Sequence, residues 1–209
     1  MSLHTVLYGY DLRAGACQYS SVWWNVAGTD MTDQLSAKDW LDQGLKVLAQ
    51  RGFTALKAEP LAKAMGVSRG SFYWHFADIG AFHAAILKHW REVAAEQIIA
   101  GLEVAASDDN PLSLLLNGAF GNRQTLEKAV RSWATADPKA RAAVQAIDRR
   151  RIDYIEHMLR QAAVKEAVAS ARAQILYWAF LGHVLADQPL TPAKQKAVID
   201  ELLRMATRA

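Results

Sequence analysis

The segment Leu61–Phe76 constrains the fold of this chain more than any other feature of the sequence. It opens with apolar residues at the spacing of one buried helix face, and that face ends at Met65. Gly66 follows where the helix must end, because glycine adopts the left-handed C-terminal conformation without a Cβ clash. Ser68 then supplies a hydroxyl that favours the start of a second helix. The pattern predicts two short helices joined by a tight glycine turn, which is the helix-turn-helix arrangement.

The second of these helices has one side with no packing role. Phe72 and Phe76 are spaced i, i+4 and would bury the other side against the first helix. The remaining groups suit DNA: a guanidinium that matches guanine edges or phosphate oxygens, hydroxyls, a ring N–H and a glycine that permits close approach. The candidate DNA-contacting residues are Ser68, Arg69, Gly70, Ser71, Tyr73, Trp74 and His75. The alternative is a small helical corner of another all-α protein, with Tyr73 and Trp74 as half-buried aromatic residues.

The same residues resemble those of a known family. The similarity is to the N-terminal domain of TetR (tetracycline-repressor-type) regulators, and it spans roughly residues 35–90. It is carried by Gly52-Phe53-Thr54, by Leu61-Ala62, by the run from Gly66 to Phe76, and by a helix that starts at Asp78. The resemblance implies an all-α fold, with a three-helix DNA-binding domain followed by a helical-bundle regulatory and dimerisation domain.

The resemblance also implies specific DNA contacts and shows where this chain differs. By position, the family's contacts fall on Arg69, Ser71, Tyr73, Trp74 and His75, with Thr54 and Lys57 near the flanking backbone. Lys57 stands where the family usually has a capping threonine or serine, so the cap of that helix is expected to be weaker here. Ile79 stands where members often carry a phosphate-binding lysine. We therefore expect one phosphate contact to be missing and affinity to depend more on Arg69 and Lys57.

Length and charge are compatible with a DNA-binding part and a second helical part. The chain has 209 residues and a net charge of +3, and its basic excess lies in the region that resembles the family's DNA-binding domain. We predict an N-terminal extension without a defined fold at 1–34, a DNA-binding domain at 35–80, and a ligand-binding and dimerisation domain at 81–209. The alternative for the extension is an arm that reaches into a DNA groove, but Arg13 is its only basic residue.

Other kinds of function have no support in the sequence. A single cysteine, Cys17, excludes an internal disulfide and a zinc site built on cysteine pairs. Histidine spacing matches no metal motif, and neither a nucleotide-binding loop nor a nucleophile elbow occurs. We therefore expect no catalysis, no metal and no cofactor. Because no run approaches the roughly 20 apolar residues of a membrane span, and no signal-peptide pattern is visible, we expect a cytoplasmic protein without a membrane partner.

Two apolar stripes at helical spacing mark the second predicted domain, one in residues 140–158 and one in residues 171–185. Such stripes usually form intrachain core, whereas the resemblance implies that these helices pair with a second copy in a four-helix bundle. The candidate dimer residues are Ile147, Ile175, Trp178, Gly182 and Leu185. The candidate ligand-lining residues are Leu116, Phe120, Trp133, Tyr154 and Tyr177, although core packing would explain the same side chains.

The combined prediction is a homodimeric transcriptional regulator that acts as a repressor. Two recognition helices would bind a pseudo-palindromic double-stranded DNA operator, and an unknown small-molecule effector would release it. The alternatives are an effector-independent, nucleoid-type DNA-binding factor and a helical ligand-binding or interaction protein. The charged run 148–151 is expected to be a solvated or interface-edge cluster rather than an anion site.

Overall fold

The computed structural model describes residues 35–96, 99, 110–121 and 124–208. Within these ranges the regular structure is helical and includes no strand, so the predicted all-α class is confirmed. The prediction for residues 1–34 lies outside the described residues. Among the helices that the structure describes, none is long and apolar enough to cross a bilayer.

The described ranges contain nine α-helices. The first four are α1 (Ala37–Arg51), α2 (Ala58–Ala64), α3 (Arg69–His75) and α4 (Ile79–Arg91). A 3₁₀ turn at Phe53–Ala55 separates α1 from α2, and a π-turn at Glu92–Glu96 follows α4. The other five are α5 (Pro111–Gly121), α6 (Thr125–Ala136), α7 (Pro138–Gln161), α8 (Glu166–Leu185) and α9 (Pro192–Thr207).

Side-chain caps mark the starts of α1, α4 and α7. Ser36 and Asp39 form a capping box at α1, in which each side chain accepts a hydrogen bond from the other residue's backbone N–H. The Asp78 side chain accepts a hydrogen bond of 2.7 Å from the first turn of α4. Asp137 caps α7 in the same way at 2.8 Å, and Pro138 occupies the first turn, where its missing N–H has no cost.

The turn between α2 and α3 is closed by a glycine, as predicted. Gly66 has a φ of +70°, and its N–H and that of Val67 bond back to the last turn of α2 at 3.3 and 3.0 Å. This pair of bonds is a Schellman motif. Ser68 is the N-cap residue of α3, but its backbone carbonyl rather than its hydroxyl accepts from the new helix. Lys57 makes no side-chain cap at α2, which confirms the weaker cap expected there.

One hydrophobic core joins α1–α4 to α6 and the first half of α7. At its centre Phe72 packs edge-on against Trp40 and Phe82, with ring centroids 5.4 and 5.2 Å apart. Gly44 lets α1 approach α4 closely, because a Cβ there would collide with the side chain of Ile86. This core includes residues on both sides of residue 80, where the sequence analysis places a domain boundary. That boundary stays a prediction.

A second core joins α5, the end of α7, α8 and α9. Its buried side chains include Leu116 and Phe120 from α5, Leu159 from α7 and Leu176 from α8. The helix α9, which the sequence did not single out, packs its Ile199 into this cluster. The C-terminal half of the chain thus has its own helical core beside the one that carries the helix-turn-helix.

Candidate nucleic-acid interface

The outer side of α3 is largely exposed to solvent and is not covered by other residues that the structure describes. Trp74 is 88% exposed and Tyr73 is 45% exposed, whereas Phe72 on the same helix is fully buried. Arg69, Gly70 and His75 are also exposed, and Ser71 is half-buried. The side chains predicted to contact DNA therefore lie on one short helix that the fold holds by a single apolar side.

Arg69 and Tyr73 form a pair on this surface. The Arg69 Nη2 donates a hydrogen bond of 3.1 Å to the Tyr73 hydroxyl, and the guanidinium carbon lies 5.5 Å from the tyrosine ring centroid. The hydrogen bond to Tyr73 is the main reason that the pKa of Arg69 is raised, so the guanidinium stays charged. One turn of helix thus presents a positive, planar group beside an aromatic ring and a hydroxyl.

The two flanking residues predicted from the resemblance lie beside a shallow concavity. Thr54 and Lys57 line it together with Arg51 at the end of α1, and its volume is about 290 Å³. Both Thr54 and Lys57 are exposed. Two cations and a hydroxyl can together bind a phosphate oxygen. The sequence reasoning assigned no contact to Arg51, since only the fold brings it next to Lys57.

A second group of polar residues lies inside the protein, and the sequence reasoning missed it. We call Glu127, Arg131, Asp148, Arg151 and Tyr177 the charged network. The run 148–151, expected to be a solvated or interface-edge cluster, places two of its residues in this network instead. The Arg151 side chain is 17% exposed and donates to both carboxylate oxygens of Glu127 at 3.0 Å, and Asp148 pairs with Arg131. Glu127 itself is only 3% exposed.

The other half of the charged network closes around Arg131. Its guanidinium donates to Glu127 at 2.8 Å, to the Asp148 oxygens at 3.2 and 2.5 Å and to the Tyr177 hydroxyl at 2.8 Å. The Tyr177 hydroxyl in turn donates to Asp148. Burial raises the pKa of Tyr177, so the hydroxyl keeps its proton. Two carboxylates balance two guanidinium groups, and these groups satisfy one another.

The structure does not bring the five candidate ligand-lining residues together. Leu116, Phe120 and Tyr177 belong to the second core, and Tyr154 lies between the two cores. Trp133 belongs to the first core, where its ring stacks on Phe53 with centroids 4.3 Å apart and contacts His83 edge-on. Trp133 therefore packs α6 against the helix-turn-helix. Periodicity could not show this, because it does not reveal which neighbour a buried ring meets.

Four of the five candidate dimer residues form one exposed stripe on α8. Ile175 is 48%, Trp178 62% and Leu185 54% exposed, and Gly182 lies between the last two. Ile147 does not join them. It is 2% exposed and packs in the first core, so it cannot contact a partner in this arrangement. The apolar stripe of α7 faces inward, and the stripe of α8 faces solvent.

A glycine turn that sets a short helix with an exposed polar side against a helical core is the helix-turn-helix arrangement, which many DNA-binding proteins use. Comparison with known proteins refines this class. The model of the bacterial regulatory proteins of the tetR family matches residues 41–86. The HTH-type transcriptional regulator AcrR of Shigella flexneri is 36% identical over 78 residues, which are 36% of this chain and 34% of AcrR. The match thus spans about a third of that relative's length.

Solved structures extend the likeness to most of the chain. Reduced NemR of E. coli aligns with a TM-score of 0.62 and 19% identity over 81% of this chain and 94% of its own. AibR in complex with isovaleryl coenzyme A and operator DNA aligns with a TM-score of 0.57 and 16% identity over 81% of this chain and 96% of its own. At these identities the likeness shows the fold. Residues 41–86 thus match the tetR family model, and most of the chain shares its fold with solved structures such as a putative TetR-family transcriptional regulator from Rhodococcus sp..

Proposed function

We propose that this protein is a TetR-family transcriptional regulator, a homodimeric repressor that binds a pseudo-palindromic operator and is released by a small-molecule effector. The observation that carries the proposal is the bare side of α3, where Trp74 is 88% exposed beside the exposed Arg69–Tyr73 pair. Nothing in the packing of the described residues explains why a tryptophan is exposed next to a charged arginine on so short a helix. A partner that supplies acceptors and apolar edges, as a DNA major groove does, would explain it.

Each exposed group has a proposed role. Arg69 reads a guanine edge or a phosphate, and Tyr73 orients it. Trp74 packs against the groove, and Gly70 lets the backbone of α3 approach it. The proposed phosphate donors are Thr54, Lys57, Ser68, Ser71 and His75. Arg51 joins Lys57 in this set because both line the same concavity.

The exposed stripe of α8 is the proposed dimer contact. Trp178 is its largest side chain, and aromatic residues at the centre of a symmetric contact contribute most to binding. Met205 on α9, which is 50% exposed and lines a groove with Ile175, extends the apolar surface. In the dimer the two copies of α3 would lie roughly 34–36 Å apart, one turn of B-DNA, as successive major grooves require.

The effector would act through the helical core that follows α4. AibR, which shares this fold, was solved in complex with both isovaleryl coenzyme A and operator DNA. Here we propose that a ligand binds near Leu116, Phe120, Tyr154 and Tyr177 and shifts α4. A ligand that prefers the non-binding arrangement by about 3 kcal/mol would weaken operator affinity roughly 150-fold, which is enough for release.

Selection of bound duplexes from a random pool tests the proposal directly. The expected result is an enriched motif with two-fold symmetry, because two copies of α3 would read equivalent half-sites. Neutralising about six phosphates should also give a log–log salt dependence with a slope near −5. A pool without enrichment, together with binding that barely responds to salt, would overturn it in favour of an interaction protein.

A further inference from the structure

The helix α4 does not end in an ordinary cap. After Arg91 the backbone widens into the π-turn Glu92–Glu96, a rare geometry that is concentrated at functional positions in helices. Within this turn the carbonyl oxygen of Ala94 accepts a hydrogen bond of 3.1 Å from Nη2 of Arg151 on α7. A side chain from another helix therefore holds the backbone at the end of α4.

The same guanidinium also holds α6. Its two terminal nitrogens donate to the two carboxylate oxygens of Glu127, each at 3.0 Å, and its planar face lies over the ring of Phe180 on α8. Burial alone would lower the pKa of Arg151, but the charge of Glu127 and the hydrogen bonds to it outweigh burial and raise it. The permanently charged guanidinium of Arg151 thus joins α7, α6 and the π-turn.

The π-turn and α6 are both attached to the helix-turn-helix. On α6, Trp133 stacks on Phe53, which immediately follows α1. On α4, the nearly buried His89 bonds to Asp42 of α1 with an Nε2–Oδ1 distance of 2.7 Å. These two supports, α6 and α4, thus contact α1 and the turn that follows it, and Phe72 of α3 packs against Trp40 of α1. Arg151 is the side chain that bonds to both supports.

We propose that Arg151 is a positioning residue for DNA binding, which holds α4 and α6 in one arrangement and so sets the separation of the two α3 helices in the dimer. The proposal rests on the proposed function and names the contact through which that function is regulated. A movement of the π-turn at the end of α4 away from α6 would strain the bonds of Arg151 to Ala94 and to Glu127. An arginine fork can make both bonds at once, whereas a lysine offers a single ammonium group.

Two substitutions at Arg151 and one matched control test this. Arg151→Met removes both bonds, and Arg151→Lys keeps the charge beside Glu127 but loses the fork. Asp148→Asn weakens the charged network at its far end, around Arg131, and leaves the Arg151 bonds in place. Each variant is titrated with the selected symmetric operator and with a duplex that carries one half-site. Hydrogen exchange is measured for the amides of residues 92–96.

Both Arg151 variants should lose about tenfold in affinity for the full operator, because only dimers with the correct spacing engage both half-sites. Half-site affinity should stay within about twofold, since α3 itself is unchanged. Exchange in residues 92–96 should rise, and Asp148→Asn should change neither operator affinity nor this exchange. If Arg151→Met does not fold, Arg151→Lys carries the same expectations.

Three results would overturn the proposal: unchanged operator affinity, an equal loss on the half-site, or the same loss in Asp148→Asn. The second would mean that Arg151 supports the fold of the helix-turn-helix, and the third that general destabilisation is responsible. Failure of the proposed function looks different, since the wild-type chain would then enrich no symmetric duplex. The exchange measurement still tests the contact with Ala94 in that case.

Discussion

The exposed side of α3 and the charged network are both rich in polar and aromatic groups, but the fold treats them in opposite ways. On α3, Arg69 and Tyr73 bond to each other in solvent, and Trp74 beside them is bare. In the charged network, Glu127 is 3% exposed and the guanidinium groups around it are paired. Residue type alone does not distinguish them. Groups left open are available to a molecule outside the chain, and groups closed on one another hold helices in place.

The difference has an energetic consequence that separates the two regions experimentally. An exposed pair in water contributes little to stability. A buried ion pair becomes costly when one partner is removed, because the remaining charge is left without compensation. Substitutions in the charged network should therefore lower stability. Those on α3 should change DNA binding and leave the unfolding transition where it is.

The largest effect is expected at Glu127. Glu127→Ala leaves the buried Arg131 and Arg151 without their shared carboxylate, so the free energy of unfolding should fall by about 3–5 kcal/mol. Urea unfolding followed by circular dichroism measures it. The control is Asp200→Ala, which breaks the exposed pair with Lys196 on α9 and should have little effect. Equal stability of the two variants would remove the distinction between buried and exposed pairs.

Next in size is the effect of removing Trp178 from the α8 stripe. Trp178→Ala should weaken the dimer by about 2–4 kcal/mol, because a central aromatic side chain carries much of the binding energy of a contact. Sedimentation velocity over a dilution series measures the dissociation constant. Trp74→Ala removes another exposed tryptophan, from α3, and should leave the dimer intact. A dimer that tolerates the loss of Trp178 would place the contact elsewhere.

On α3, Arg69→Ala should lower affinity for the selected operator by roughly 5- to 150-fold, if Arg69 reads a base. Its melting temperature should match the wild type, because the side chain is fully exposed. Fluorescence anisotropy with operator and random duplexes measures both affinities, and Lys194→Ala, an exposed cation on α9, is the matched control. Equal losses on the two duplexes would make Arg69 a phosphate contact rather than a base contact.

The smallest effect is expected from Tyr73→Phe. This change keeps the ring under the Arg69 guanidinium and removes one hydroxyl, so operator affinity should fall by about three- to tenfold. The same anisotropy titration measures it, with thermal unfolding as the check on stability. Unchanged affinity would show that the hydroxyl neither orients Arg69 nor contacts the DNA backbone.

The helix-turn-helix could be predicted because its signals are close together in the chain. Gly66 needs only its neighbours to close a Schellman turn, and Phe72 shows by its spacing which side of α3 is buried. The prediction of the dimer contact failed at Ile147, because it depended on how separate helices pack against one another. Ile147 and Ile175 belong to similar stripes, yet the first lies in a core and the second faces solvent. Helical periodicity identifies an apolar side but not what covers it.

The sequence by itself determined the all-α class, the helix starts and the exposed groups of α3, because caps, turns and amphipathic spacing act within one or two turns of helix. Only the tertiary structure decided that Glu127 meets Arg151, which lies 24 residues away, and that Trp133 stacks on Phe53. These pairings depend on how separate helices lie against one another. A charged residue in a sequence reads as solvent-exposed until its distant partner is known, since burial is tolerable only for a charge that is already paired.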